Sequence, residues 1–175
     1  RIRPVRPEDA EITQNFTRNL SDQSRQNRFM SPLKQLNATM LARFSQLDYD
    51  REAAFIMTNA QNEPLAFARY TCRQFPQQAE FGISVHDQYQ GLGISTIMMQ
   101  LLIEQATAQG YLNLYGEILQ SNHAMLGLAN KLGFIRKILP QDPKIAAVTL
   151  PLKSPTNNIV QKQSNKYLRN YRKLN

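Results

Sequence analysis

The segment Gln90-Gly91-Leu92-Gly93-Ile94-Ser95-Thr96 places two glycines two residues apart at the head of an apolar run. Glycine bends without a Cβ penalty and lets the backbone approach a ligand closely. Ile94, Ile97, Met98, Leu101, Leu102 and Ala106 recur at three- and four-residue steps, and Gly110 stands where a C-cap belongs. This spacing predicts a helix with one buried face that begins near Gly93. The first N–H groups of such a helix have no internal acceptor, and its dipole makes that end positive. Such a turn suits an anion, most often a phosphate. On the glycines alone, a turn that merely joins a strand to a helix is at least as good a reading. Glu80 lies on the strand Ala79 to Val85 that feeds this turn. Alternation puts Phe81, Ile83 and Val85 on one face and Glu80, Gly82 and Ser84 on the other. By alternation alone Glu80 is an exposed strand carboxylate paired with Arg69 or Arg73; its place next to the turn also suits a proton acceptor.

Other side chains with reactive chemistry read as structural. His86 and His123 fall in a loop and at a helix start, where histidine is usually solvated. Cys72 falls on a strand and reads as a packed thiol. Met98, Met99 and Met125 follow helical spacing and read as core. Arg25, Arg28 and Arg51 have charges suited to steering phosphate or orienting loops, though exposed arginines need no function. Asp48-Tyr49-Asp50 reads as a solvated turn with some attraction for a cation.

These groups need elements to hold them. Arg1 to Arg6 predicts a strand, Glu8 to Leu20 a helix, Ser21 to Phe29 a second and Asn37 to Leu47 a third. Ala53 to Thr58 and Leu65 to Phe75 predict a hairpin around Asn59 to Glu63, followed by a strand from Ala79 to Val85. After the long helix come a strand from Tyr111 to Ile118, a helix capped by Ser121 or Asn122 and ended by Gly133, and two closing strands, Phe134 to Leu139 and Ile145 to Leu152. The order β-α-α-α-β-β-β-α-β-α-β-β predicts one mixed sheet covered by helices, an α/β (α+β) domain over residues 1–152.

The 175 residues are enough for one domain with a proper core, and 42% are apolar. The net charge of +8 is concentrated at the end: residues 153–175 hold six basic side chains and no acid, against 15 basic and 13 acidic elsewhere. That segment reads as a basic polar tail, with a possible short helix from Tyr167 to Leu174. The near-neutral remainder argues against nucleic acid as a partner. One cysteine and two histidines argue against an intrachain disulfide and a structural zinc site, so no metal is expected. No run approaches membrane-spanning length and no signal peptide is visible; a reducing cytoplasm fits.

Element order and two motifs resemble the GNAT superfamily of acyl-CoA-dependent N-acetyltransferases. The first motif is that family's [Gln/Arg]-x-x-Gly-x-[Gly/Ala] signature, here Gln90-Gly91-Leu92-Gly93-Ile94-Ser95, with Ser95 departing at the last place. The second is Asn122-His123-Ala124-Met125 running on to Asn130-Lys131-Leu132-Gly133-Phe134. The resemblance covers roughly residues 1–150 and implies a mixed, mostly antiparallel sheet flanked by helices, with splayed central strands. It implies acetyl-CoA as cosubstrate. Backbone groups of Ile83, Ser84 and Val85 would hold pantetheine and the thioester carbonyl, and N–H groups of Gln90, Gly91, Leu92, Gly93, Ile94, Ser95 and Thr96 would hold the pyrophosphate. Asn122 would meet pantetheine or the cleft wall. In this context Glu80, in an Ala-Glu-Phe setting, becomes the expected general base. The tyrosine that many relatives use as general acid is replaced by Ala129; Tyr115 reads as core.

Ile2-Arg3-Pro4-Val5-Arg6-Pro7-Glu8-Asp9, Arg25 to Phe29 and Asp48-Tyr49-Asp50-Arg51-Glu52 further resemble the acetyltransferase region of bacterial Pat-type protein lysine acetyltransferases. Many of these carry an upstream acyl-CoA-synthetase-like region, which would be a partner in a longer protein. The implied activity is acetyl transfer to an amine, a protein lysine foremost, by direct attack in a ternary complex. The alternatives are a small amine as acceptor or a non-catalytic acyl-CoA-sensing domain.

Overall fold

A computed structural model describes residues 1–153. The tail and its expected helix at Tyr167–Leu174 lie outside the described residues. Seven strands form one sheet in the order β1-β2-β3-β4-β5-β7-β6. They are β1 (Ile2–Pro4), β2 (Ala53–Thr58), β3 (Pro64–Gln74), β4 (Gln78–Val85), β5 (Asn113–Leu119), β6 (Ile135–Leu139) and β7 (Asp142–Pro151). Five α-helices complete the domain: α1 (Ala10–Asn19), α2 (Asp22–Phe29), α3 (Ala38–Ser45), α4 (Ile94–Ala108) and α5 (His123–Lys131). Every strand pair is antiparallel except β4–β5. The mixed, mostly antiparallel sheet with helices on its faces is the expected architecture, and the element order is the one predicted.

The sequence of β2, Ala-Ala-Phe-Ile-Met-Thr, is buried throughout because apolar groups cover both faces. On one face Val5, Ala54 and Ile56 pack with Ile12, Leu47 and Phe67. On the other, Ala66, Ala68, Tyr70, Leu114 and Ile118 meet Met98, Met99 and Leu102 of α4. The buried stripe of α4 is Ile94, Met98, Met99, Leu102 and Ala106. Ile97, expected on that stripe, is 48% exposed, because Met99 takes the inward position beside Met98. None of the residues of the polar helix α2 is buried, so something other than an apolar face must dock it. Among the described residues, no helix is long and apolar enough to cross a membrane.

Candidate active site

The opening that makes the site comes from strand pairing. β4 and β5 share only two rungs, Ala79↔Leu114 and Glu80↔Tyr115. β4 stays paired with β3 up to Val85, and β5 stays paired with β7 up to Leu119. The next rung would set Phe81 beside Gly116. There the Phe81 ring takes the space of a missing side chain: a Cβ on Gly116 would fall 2.5 Å from it. Glycine in a strand marks such a close approach. The ring is anchored edge-on against Phe134, 5.5 Å between centroids. Beyond it the strands part and leave a cleft of about 390 Å³. Gly82, Ile83, Ser84 and Val85 line one side of this cleft, with no strand paired to that edge of β4.

At the far end stands the glycine turn. Gly91 and Gly93 have φ of +76° and +81°, and α4 starts at Ile94. Side chains other than glycine strain at such angles. The Gln90 N–H donates to the Asp87 carbonyl (3.3 Å) and the Thr96 N–H to the Gly93 carbonyl (3.0 Å). The N–H groups of Gly91, Leu92, Gly93, Ile94 and Ser95, between these two, have no hydrogen-bond acceptor among the described residues. Space is open at both glycines, where an added Cβ would meet nothing within 4 Å. These five donors at a helix N-terminus fit a diphosphate. The Leu92 side chain points to solvent, 68% exposed, so only its backbone faces this role. Asn122 lines the cleft across from the turn. Its Oδ1 caps α5 by accepting the Met125 N–H at 3.2 Å. Its Nδ2 has no partner among the described residues and is free to donate.

Glu80 sits at the last shared rung with its side chain 43% exposed; the cleft's lining begins one residue later, at Phe81, and does not include it. Of the two arginines that alternation offered, Arg73 is its partner, at 3.4 Å. Arg69 instead reaches Glu52 at 3.6 Å and the Arg43 carbonyl at 2.9 Å. The same Arg73 nitrogen lies 3.6 Å from Glu117, a β5 carboxylate that lines the cleft. Tyr115 donates to Glu117 at 2.7 Å and lies under the Arg73 guanidinium, 4.4 Å from its ring. Burial, reinforced by the bond to Glu117, pushes the Tyr115 phenol up to about 12 despite Arg73. It is therefore protonated at neutral pH. Two carboxylates and a buried, neutral phenol thus gather around one guanidinium beside the cleft, and of these groups Glu117 lines it. Glu117 escaped the sequence reading because nothing local distinguishes it; only the splay exposes it.

The second wall is α2, through Ser24, Asn27 and Arg28 on one helix face. Asp87, just before the glycine turn, holds this polar helix. Its carboxylate accepts from the Ser21 N–H (2.8 Å), the Ser21 hydroxyl (2.6 Å) and the Ser24 hydroxyl (2.6 Å). Burial raises the Asp87 carboxyl, but the bonds from Ser21 and Ser24 outweigh it and hold it below the usual range. Gln90 adds a bond from its amide to the Ser24 hydroxyl (3.0 Å) and another to the Val85 carbonyl (3.2 Å). The turn and the wall are thus one hydrogen-bonded unit.

The remaining candidates stand apart from this chemistry. His86 accepts the Gln88 N–H at 3.4 Å and packs on Phe16 and Tyr89. His123 is exposed at the start of α5. Cys72 packs against the core. Arg25 bonds to Asp22 and to the Arg18 and Leu20 carbonyls, and Arg51 lies over Phe75. Asp48 closes a turn by accepting the Asp50 N–H at 3.1 Å.

A splayed β4–β5 pair with free amides at the following helix invites comparison with known proteins. The model of the acetyltransferase (GNAT) domain matches residues 1–135. The chain belongs to the GNAT acetyltransferase family. Its members use acetyl-CoA. An acetyltransferase of Pseudomonas aeruginosa is 31% identical over 144 residues, 81% of this chain and 77% of that protein. Acetyltransferase Pat of Mycolicibacterium smegmatis is 32% identical over 136 residues, which is 77% of this chain but 40% of that protein. The crystal structure of the GNAT domain of S. lividans PAT superposes with a TM-score of 0.80 at 24% identity, covering 86% of this chain and 89% of that one. The GNAT fold and the enzyme class expected from the two motifs are therefore established.

Proposed function

We propose that this chain transfers the acetyl group of acetyl-CoA to an amine that enters over Glu80 from the α2 side, with a protein lysine as the first acceptor to test. The observation that carries the reading is continuity. One cleft runs from the turn that carries five free N–H donors, along the unpaired edge of Gly82–Val85, to Glu117, and Glu80 stands at the last rung, one residue before the cleft's lining begins at Phe81. Acetyl-CoA supplies an activated thioester whose carbonyl carbon is the electrophile. The chain's part is to hold it and to manage charge. The turn amides would take the diphosphate, Asn122 Nδ2 and the β4 edge the pantetheine, and β4 amides the carbonyl oxygen as charge develops there. Glu80, directly or through water, would accept the amine's proton. Glu80 and Glu117 together make the entrance attractive to a cationic amine.

The likeness of the first half to Pat-type lysine acetyltransferases supports lysine. A small amino acid is the second reading. It is supported by a 32% identity over 94 residues to an L-methionine sulfoximine/L-methionine sulfone acetyltransferase of Pseudomonas aeruginosa. The test is thiol release from acetyl-CoA with lysine-containing proteins and free amino acids, run beside Glu80→Gln. The expected result is turnover that falls about 10²–10⁴-fold in the variant while CoA affinity holds. CoA binding without thiol release for any amine would instead make the domain a sensor.

A further inference from the structure

Among the described residues, Arg28 is the one cleft-lining cation, and nothing in the preceding chemistry uses its placement. Its guanidinium lies flat on β4 at Gly82. A Cβ there would fall 2.5 Å from the Arg28 Cζ and Nη2. A glycine inside a strand weakens it, so the residue type at position 82 is explained by the seat it leaves for Arg28. The rings of Phe29 and Phe44 flank the charge at 5.2 and 5.6 Å. Among the described residues it makes no hydrogen bond and no ion pair, so its five N–H donors are uncommitted. Burial, with Arg69 nearby, pushes its pKa down to about 10, against a smaller opposing effect of Glu80. It remains a cation at neutral pH. Among the described residues, the carboxylates that could neutralise it are taken: Glu80 and Glu117 by Arg73, and Glu52 by Arg69. Asp87 is bound to Ser21 and Ser24.

We infer that Arg28, backed by Gly82, is the subsite for a carboxylate carried by the acceptor a few bonds from its reacting amine. The nucleotide's diphosphate has its own donors at Gly91–Ser95, and its 3′-phosphate lies on the far side of the diphosphate from the thioester; an anion at Gly82, two residues from Glu80, therefore belongs to the other substrate. Positions 80 and 82 lie on the same face of β4, about 7 Å apart along the strand. An amine held at Glu80 therefore has its neighbouring carboxylate within reach of Arg28. A free α-amino acid has that compact geometry. A lysine flanked by an acidic residue offers the same group by a longer route. A planar guanidinium suits bidentate carboxylate binding better than lysine would. The inference rests on amine acetylation as proposed above.

The experiment compares each free amino acid with its carboxamide, and lysine peptides bearing Asp with those bearing Asn beside the lysine. kcat/KM is read for the unaltered protein, R28K and R28Q. The acid should be favoured over its amide by about 10- to 100-fold, the worth of a charge-assisted hydrogen bond. That ratio should shrink in R28K and collapse in R28Q. A preference in the free amino acids assigns the α-carboxylate, and one in the peptides assigns the flanking acid. An acid-to-amide ratio equal in the unaltered protein and R28Q overturns the inference. Should R28Q fail to fold, calorimetry on the unaltered protein with CoA present decides: tighter binding of acid than amide supports the subsite, and equal binding removes it. The same titration reads the subsite if CoA binds but no amine turns over, the result that would defeat the acetyltransferase reading alone.

Discussion

Gly93→Ala isolates the contact proposed for the cofactor's diphosphate. Gly93 has φ +81°, and an added Cβ meets nothing within 4 Å in the free protein. The substitution therefore introduces backbone strain without a clash. A left-handed alanine costs about 1–2 kcal/mol, which in a domain of this size lowers Tm by roughly 2–8 °C. That strain is present in the free and the bound protein alike, so it cancels from the affinity for CoA. Any change in Kd then reports the new methyl standing where the diphosphate must approach. Gly110→Ala is the matched control. Gly110 has φ +88° and is equally uncrowded, but it follows the far end of α4. Thermal unfolding should show similar losses for both variants. Calorimetric titration with CoA should show weakening of about 10-fold or more for Gly93→Ala, the loss of one or more charge-assisted hydrogen bonds, and none for Gly110→Ala. Equal Kd values in both variants would refute the reasoning.

Further outcomes follow from the same geometry. Gly116→Ala drives a Cβ to 2.5 Å from the Phe81 ring; overpacking of this kind costs about 1–3 kcal/mol, read as a lower urea midpoint, and an unchanged midpoint would contradict the wedge. Asp87→Asn removes the anchor of an α-helix with no buried residue, so amide exchange in residues 22–29 should rise sharply while global stability falls by about 1 kcal/mol. Because the folded Asp87 carboxyl is held low, its contribution is complete above the ordinary value near 3.9 and is lost as pH falls through the folded value. Acid titration of stability should therefore show a component below about pH 4 that Asp87→Asn lacks. With its phenol raised to about 12, Tyr115 should contribute no basic limb to the pH–rate profile up to about pH 10. A limb below that value that disappears in Tyr115→Phe would contradict this placement.

Much of the site was legible because its chemistry is local. The glycine turn, the start of α4 and the cap by Asn122 depend on residues adjacent in sequence, and their spacing showed them. The parting of β4 and β5 was legible only through resemblance; its cause, the Phe81 ring against Gly116, joins residues 35 apart in sequence. An arginine partner for Glu80 was legible as the alternative to a catalytic role, but alternation could not choose between Arg69 and Arg73, which share a face. Glu117 and Arg28 stand out because of what surrounds them, a parted strand and, among the described residues, no counter-ion. Neither condition leaves a mark in periodicity. α2 was found from its Ser21 cap, yet its docking through Asp87 rather than an apolar face is a tertiary fact.

The central claim is that the main-chain amides of Gly91–Ser95 receive the cofactor's diphosphate. Amide hydrogen exchange, followed residue by residue with and without CoA, tests it directly. The account predicts strong protection of Gly91, Leu92, Gly93, Ile94 and Ser95 on binding, with the amide of Gly110 unchanged. Binding of CoA that leaves those five amides exchanging as before would contradict it.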